Sequence, residues 1–592
     1  MKSGFWSKVS AYFPLVVVAS TFLWSAAAIV NYRAAHTPPG AIVLRLGHWQ
    51  LEASVRQAIE AMAKEYREKV NPNVYIVQDA IPEGTYGQWV STQLMGGTAP
   101  DILQVGGMLP GNIWLSYFQR FFVPLGKYVE RPNAHNAGTE HAGVPLRKTY
   151  KDGMKTAYSD EMQEYMSIPL AQFGTRIFYN RELLKQLTGL DTPPEEYRAF
   201  LKVCETIRSQ KDENGKFYIP IAGSGYHFGM MGGLMWESLT YLATTKADFN
   251  RDGSVGNDEQ FVAFRTGRLD CDFLPYRARF KMIEEISKNF QPGYTGLTRD
   301  EAVFLFAQQK AVFMSTGTWD ARSLQEQARG QFEVGVMRYP FPLPTDPYYG
   351  PVAPARPREQ VGSGFQFGVT RSSAHPEVAL DFLLFLASKM GNEELNRIIG
   401  WIPAIQGTET DPLLRAFEPN MVGIYGAMNF TLGGETVVRW NQLHALYQVG
   451  QLNYEEFAKT YLPFYLERGL LDYKEQSRDW RRGMQRNELF LAAIRARALF
   501  GEEASVANTD WVRYRALTAN RQVWAEIDRS RQLHLMEKGI AKDAVGPYEY
   551  SPAVLAKIKD RVNGRVGQWG DGVEQDRTKS LLPQTLNTSL PH

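Results

Sequence analysis

The segment Glu301–Asp320, EAVFLFAQQKAVFMSTGTWD, carries the residues best suited to hold a flat ligand. Val303, Phe304, Phe306 and Ala307 have helical spacing, and Ala311–Met314 is a short apolar run. The small residues Ser315-Thr316-Gly317-Thr318 then deliver Trp319. Helix, buried strand and small-residue turn is how an open α/β sheet presents a side chain above its carboxyl edge, where ligands collect. Trp319 offers an apolar face and one N–H donor, which suits stacking on a sugar or another flat ligand. The alternative is a core tryptophan packed beneath a loop, which periodicity alone favours.

A second pattern points to metal chemistry. Asp248-x-Asn250-x-Asp252-Gly253-x5-Glu259 fits the twelve-residue calcium loop. Asp248, Asn250 and Asp252 supply side-chain oxygens, and Gly253 permits the sharp turn. Ser254 offers its backbone carbonyl, and Glu259 closes the shell bidentately. A structural Ca2+ is the expectation, with a solvated acidic turn as the alternative.

These residues need a scaffold. Ile42–His48 alternates as a first strand, and Glu52–Val70 is an amphipathic helix ended by Asn71-Pro72. Val74–Gln78 is a second strand, Trp89–Met95 a helix ended by Gly96-Gly97, and Ile102–Val105 a third strand. Short links between them indicate a parallel sheet with right-handed crossovers. The same grammar continues in Ser167–Asn180 as two extended pieces, in a helix from Arg181, and in the helix Tyr197–Gln210. Further on, Phe332–Met337 and Gly364–Thr370 read as strands and Pro376–Met390 as an apolar helix. From about Asp479 the pattern changes to Arg-rich helical segments.

At 592 residues the chain exceeds one core. Lys+Arg 65 against Asp+Glu 63 leaves no overall field for nucleic acid. Between Lys8 and Arg33 no charge occurs, and Ala11–Val30 is almost wholly apolar, about the length that crosses a bilayer. Ala26-Ala27-Ala28 supplies a rival reading as a signal-peptide cleavage site. Either reading exports the chain beyond Arg33. Thr37-Pro38-Pro39-Gly40 forms a stiff linker. The two cysteines, Cys204 and Cys271, are expected as buried free thiols. Their pairing in an oxidising compartment would add about 4 kcal/mol on a chain-entropy model.

Several segments together resemble the extracellular solute-binding proteins of ABC importers, the sugar-binding family 1 that includes maltose-binding protein. Tyr86-Gly87-Gln88-Trp89-Val90 followed by Gln93–Asp101 is similar to that family's helix and "GxxPD" turn. Phe118–Tyr128 resembles its aromatic segment ending in P-L. Ile168-Pro169-Leu170, Thr175, Tyr179-Asn180 and Leu183-Leu184 resemble its hinge region. Thr192-Pro193-Pro194 with Tyr197 and Phe200 comes next, with tyrosine where tryptophan is usual. Phe306–Trp319 resembles the "F..GKAAM...G.W" segment, with Gln308-Gln309 in place of the glycine. Phe365–Thr370 with Ala379 and Phe382, and then Gly400–Ala404, complete the series in family order.

The resemblance implies a two-lobed, periplasmic-binding-protein-like (type II) α/β fold whose lobes close on a ligand by hinge motion. The chain would cross between lobes near residues 169–173 and return near 364–367. The implied organisation is a signal peptide or membrane anchor over 1–32 and a linker over 33–41. A two-lobed solute-binding domain over 42–480 and a helical C-terminal extension over 481–592 complete it. The implied partners are a carbohydrate, an oligosaccharide in particular, and ABC permease subunits. The implied setting is periplasmic or extracytoplasmic, with the protein monomeric and binding no nucleic acid; residues 9–30 anchor it in the inner membrane only on the reading in which the apolar segment is not cleaved.

Carbohydrate recognition needs flat apolar faces and planar polar groups. Strand ends and family position together select Trp49 after the first strand, Gln104 and Gly106 at the end of the third, and Gln172 at the implied hinge. They also select Trp236 in the segment Gly232–Glu237, and Trp319; Trp236 reads equally as helix core. Asp101 reads as a residue that orients its turn. Trp401 and Trp440 are secondary candidates. An exported glycoside hydrolase using two carboxylates is the enzyme alternative. The chain nevertheless contains no HExxH, GxSxG or Cys-His nucleophile signature. A membrane-tethered sensor or scaffold, docking through the Arg-rich C-terminal helices, is the third.

Overall fold

The computed structural model describes residues 38, 40–109, 111–159, 162–248, 255–359, 362–426, 430–500, 510–512 and 514. The apolar segment 9–30, the loop residues Asn250, Asp252 and Ser254, and most of the chain after 500 lie outside the described residues. Among the described residues no helix is long and apolar enough to cross a membrane.

The chain divides into two compact units. The first comprises Met1–Met235, Glu285–Tyr425 and Arg486–Asn520 and contains both main sheets. Its strands are β1 (Ile42–His48), β2 (Val74–Ala80), β3 (Ile102–Val105), β4 (Tyr158–Ser159), β5 (Glu164–Tyr165) and β6 (Ile168–Phe173). They continue with β7 (Thr175–Asn180), β8 (Ile219–Ala222), β9 (Ala311–Gly317), β10 (Val334–Met337), β11 (Gly362–Val369) and β12 (Ile402–Pro403). A six-stranded sheet has the order β12-β6-β11-β3-β1-β2, and a four-stranded sheet the order β10-β7-β9-β8. β4 and β5 form a separate ribbon. Each sheet with its helices makes one lobe.

The first three strands pair in parallel, as the strand–helix–strand spacing expects. β11 then enters antiparallel to both β3 and β6, so the sheet is mixed. The first helix, Ala53–Lys69, buries Val55, Ala58, Ile59, Met62 and Tyr66 at helical spacing. The apolar run after Pro376 is two helices rather than one, Pro376–Leu386 and Lys389–Ile399. Ser388 interrupts it because its hydroxyl accepts from the Gly391 N–H at 3.1 Å and caps the second helix.

The chain passes from the first sheet to the second across Gly174, between β6 and β7. It returns to the first sheet between β10 and β11. One amide secures this region from below. Asn392 is fully buried, and its Nδ2 donates to the carbonyls of Leu170 (2.8 Å) and Leu386 (3.3 Å). Its Oδ1 accepts from the N–H groups of Ala404 (2.9 Å) and Ile405 (3.4 Å).

The second unit comprises Trp236–Glu284, Gly426–Gln485 and Arg521–His592. Its described part is helical and aromatic. Phe430, Trp440 and His444 stack in series, with centroids 5.4 and 5.1 Å apart. The Arg279 guanidinium lies 5.9 Å from the Trp440 ring. The helix Tyr454–Phe500, whose first part belongs to this unit, is continuous through residue 480.

Replacing Asn392 with leucine strands the buried Ala404 and Ile405 amides and the Leu386 carbonyl. Urea unfolding is expected to show a loss of at least about 2 kcal/mol.

Candidate functional site

The carboxyl ends of β1, β2 and β3 in the first lobe and of β8 and β9 in the second carry the polar and aromatic groups of one crevice. On the first-lobe side, Tyr86 fixes the strand ends. It is fully buried, and its hydroxyl donates to the carbonyls of Gln104 (2.7 Å) and Gly47 (3.2 Å). Its ring meets the half-buried Trp49 edge-on at 5.1 Å. Gln104 is buried, and its Oε1 accepts from the Trp49 N–H at 3.3 Å. Gln50 completes the group. With its amide oxygen turned toward its donors, it accepts from Trp49 Nε1 and Gln104 Nε2, each at 3.1 Å. Gly106 and Gly107, at φ +90° and +65°, take the left-handed turn that brings the backbone beside the Trp49 ring.

On the second-lobe side β9 is buried along its whole length and ends at Gly317. The Trp319 ring lies directly over the Gly317 α-carbon, where a Cβ would overlap it. Trp319 is half-buried and packs edge-on against Phe173 of β6 at 5.7 Å. It therefore reaches from the second sheet to the core of the first lobe. The Thr318 N–H donates to the Gly174 carbonyl at 3.0 Å, which closes the corner.

Beyond Trp319 stands a charged group. Asp320 pairs with Arg299 and accepts from the Thr316 hydroxyl at 2.5 Å. Arg299 also lies over the Tyr226 ring, 5.5 Å from its centroid. Burial raises the Tyr226 phenol, Arg299 opposes the rise, and the charge of Glu83 from the first lobe is felt there too. Arg299 likewise senses Glu52 at the start of the first-lobe helix. Thus acidic groups of the first lobe face Arg299 and Tyr226 of the second.

His227 is fully buried, and its Nδ1 accepts from the Ser224 N–H at 3.1 Å. The neutral ring consequently carries its proton on Nε2, and that donor has no partner. Burial pushes the imidazole down to about 4, against the attraction of Asp320. Trp319 Nε1 and Thr318 Oγ1 are also buried without a hydrogen bond. The Tyr226 hydroxyl is near enough to sense the Trp319 N–H, but the two do not meet in hydrogen-bonding geometry. Two N–H donors and one hydroxyl of this region are thus enclosed without a hydrogen bond. Such groups are costly to bury unless something else satisfies them.

Of the residues selected from sequence, Trp49, Gln104 and Gly106 form one group. Gln172 lies on β6 one residue before Phe173, opposite Ser363 of β11. Trp236 belongs to the second unit and is 3% exposed. Trp401 packs on Phe173 at 5.1 Å, and Trp440 lies in the second unit's aromatic stack. Asp101 ties its turn, accepting from the Arg45 N–H (2.8 Å) and the Ser373 hydroxyl (2.5 Å). Cys204 and Cys271 are free thiols. Tyr226, His227, Arg299 and Asp320 are not among the residues that sequence reasoning selects. The first two carry a usable signal, since Gly223-Ser224-Gly225 comes after the apolar β8 as Ser315–Thr318 closes β9.

In the calcium-loop region, the helix Thr244–Ala247 ends immediately before Asp248, and the helix Asn257–Arg265 holds Glu259 in its first turn. Glu259 is buried, and its Oε2 accepts from the Gly256 N–H at 3.1 Å. Among the described residues no group of three or more His, Cys, Asp or Glu is arranged to hold a metal.

This crevice, between two sheets joined by hinge-like crossings, defines a binding protein of the two-lobed α/β class. The chain belongs to the bacterial extracellular solute-binding protein family, whose model matches residues 52–393. A multiple sugar-binding protein of Streptococcus mutans is 21% identical over 301 residues, 49% of this chain and 60% of that protein. The chain thus spans less than two thirds of that relative's length. In fold the chain is similar to RafE from Streptococcus pneumoniae, at 14% identity and a TM-score of 0.50, covering 73% of this chain and 99% of RafE. It is similar also to a protein from Caldanaerobius polysaccharolyticus, described in connection with xylan utilization. That likeness has 19% identity and a TM-score of 0.50 and covers 71% and 99% of the two chains.

Two outcomes are expected from this geometry. Gly317→Ala displaces the Trp319 ring, with an expected loss of about 1–3 kcal/mol in denaturant unfolding and a changed near-ultraviolet circular dichroism. His227 and His48 both hold to about 4 in the folded protein, against 6.5 unfolded. Above pH 6.5 neither state takes the extra proton, and this contribution is flat. Between about 6.5 and 4 the unfolded chain binds more protons, so stability falls with pH, by about 1.4 kcal/mol per unit for each ring. His227→Asn should shallow that slope in a pH series of melting curves.

Proposed function

We propose that this protein captures an oligosaccharide in the crevice between its two lobes and delivers it, unchanged, to an ABC importer. The observation that carries this reading is the half-buried Trp319 ring at the end of β9, with Arg299, Asp320 and Tyr226 grouped beside it. Sugar hydroxyls accept and donate in turn, and a pyranose ring covers an indole, so one ligand class satisfies both features. Trp49, Gln104, Gly106 and Gln172 are the further contacts in this reading; Trp236, buried in the second unit, is not among them. A solved structure of RafE holds raffinose, which supports the ligand class. The family is one of binding proteins rather than enzymes.

In this reading residues 1–32 export the protein and, if retained, hold 9–30 in the inner membrane. Residues 33–41 space the binding domain, 42–480, from the bilayer, and 481–592 form an extension. The protein acts as a monomer on permease subunits outside the cytoplasm. The loop Asp248–Glu259 holds a structural Ca2+ through Asp248, Asn250, Asp252, Ser254 and Glu259. The helices that abut its two ends support this assignment.

A thermal-shift screen against raffinose, stachyose and maltotriose should raise the melting temperature with at least one sugar. Trp319→Ala should then weaken its binding by about tenfold or more, at some cost in stability from the lost Phe173 contact. Product formation from the bound sugar would instead establish a hydrolase. For the metal, EDTA should lower the melting temperature, and Asp252→Ala should abolish that sensitivity; an unchanged melt in EDTA refutes the calcium loop.

A further inference from the structure

Phe173 touches Trp401 as well as Trp319, and Trp401 forms part of the wall of a cavity of about 530 Å³. The walls come from both lobes. The helix Ala321–Ala328 packs into the second-lobe core through Ala321, Leu324 and Ala328. The helix Lys389–Ile399 packs into the first-lobe core through Leu395 and Ile399. Residues 409–412 and 414 close another side.

Arg322 spans the junction of the two helices. Its stem lies against Gly400, its Nη1 donates to the Ile398 carbonyl at 2.5 Å, and its Nε pairs with Glu326 at 2.9 Å. The floor holds an unsatisfied acceptor. Asn396 is 1% exposed, and its Nδ2 donates to the carbonyls of Leu170 and Asn392, both at 2.8 Å. Its Oδ1 has no partner. Around it Arg329 and the carboxylates of Glu393 and Asp411 set charges of both signs on one wall.

We propose that this cavity is a second binding site, for a small neutral polyol or short saccharide, and that its occupant alters the affinity of the crevice. The site itself stands on the cavity alone; only the coupling rests on the crevice being the sugar site. The volume lies in the range of small-molecule sites. A mixed-sign lining disfavours a simple ion, which would face its own charge wherever it sat. Hydroxyl groups both donate and accept, so they suit guanidinium and carboxylate alike. Trp401, 5% exposed, supplies the flat apolar part of the wall. An occupant that touches helices of both lobes has a different contact energy in each lobe arrangement, which is the requirement for coupling two sites.

The test uses the full chain carrying Trp319→Ala, so that crevice binding is weakened, titrated with myo-inositol and with maltose by calorimetry and saturation-transfer NMR. If that chain fails to fold, Trp49→Ala replaces it. Saturable binding of at least one probe is expected. It should be lost on adding Gln325→Trp, which fills the mouth from an exposed helical position, and weakened by Arg329→Glu. In the chain with Trp319 intact, saturating probe should change the crevice Kd by about fivefold, and Gln325→Trp should cancel the change. No saturable binding of either probe, or binding that survives both cavity substitutions, overturns the site. Saturable binding with an unchanged crevice Kd overturns the coupling. If the intact crevice binds no sugar, the functional reading fails while the first titration still decides the cavity.

Discussion

The architecture turns on the contact of Phe173 with Trp319 and Trp401. Phe173 ends β6, the last residue of the first sheet before the chain crosses at Gly174. Its ring lies over Gly364 of β11, where a Cβ would overlap it, and its edges meet Trp319 at 5.7 Å and Trp401 at 5.1 Å. Trp401 in turn meets Phe365 at 5.2 Å. One ring therefore joins the outgoing strand, the returning strand and the corner that carries the candidate sugar platform. Phe365 is held at φ +49°, an uncommon conformation for a bulky residue that persists only where its surroundings over-determine it.

Electrostatics in the crevice depend on how each group is compensated. Arg299 and Asp320 neutralise one another, and Thr316 satisfies a further carboxylate oxygen. His227 instead stays neutral, because burial makes its charge too costly. The result is a wall with fixed dipoles and donors but little unpaired charge on the second lobe, opposite the carboxylates of Glu52 and Glu83. Such a wall suits a neutral, hydroxyl-rich ligand better than an anion.

The second unit departs from the alternating strand–helix grammar of the first. Its described part is held by stacked aromatic rings around the buried Arg279, whose guanidinium is lowered by burial and supported by Glu237. Over Ser238–Ala243 the chain is a 3-10 segment, followed by the short helix Thr244–Ala247. Helical periodicity and 3-10 periodicity differ too little over six residues to be separated by pattern alone.

Sequence by itself determined the elements whose burial is locally patterned. These include the parallel β1–β2–β3 unit, the helix Ala53–Lys69 and the apolar start of β9; Ser315-Thr316-Gly317, which the residue pattern reads as a turn, instead continues that strand. Period and turn chemistry act within a few residues, so they are legible without the fold. Family order then supplied the two-lobed architecture. Only the tertiary structure decided what each exposed strand end faces. It turned Trp319 toward Phe173, placed Trp236 in the second unit, and gathered Tyr226, His227, Arg299 and Asp320 around one corner. It also inserted β11 antiparallel beside β3, across more than 250 residues of chain. Those pairings are fixed by packing between segments far apart in sequence, and no local period records which distant surface will cover a given face.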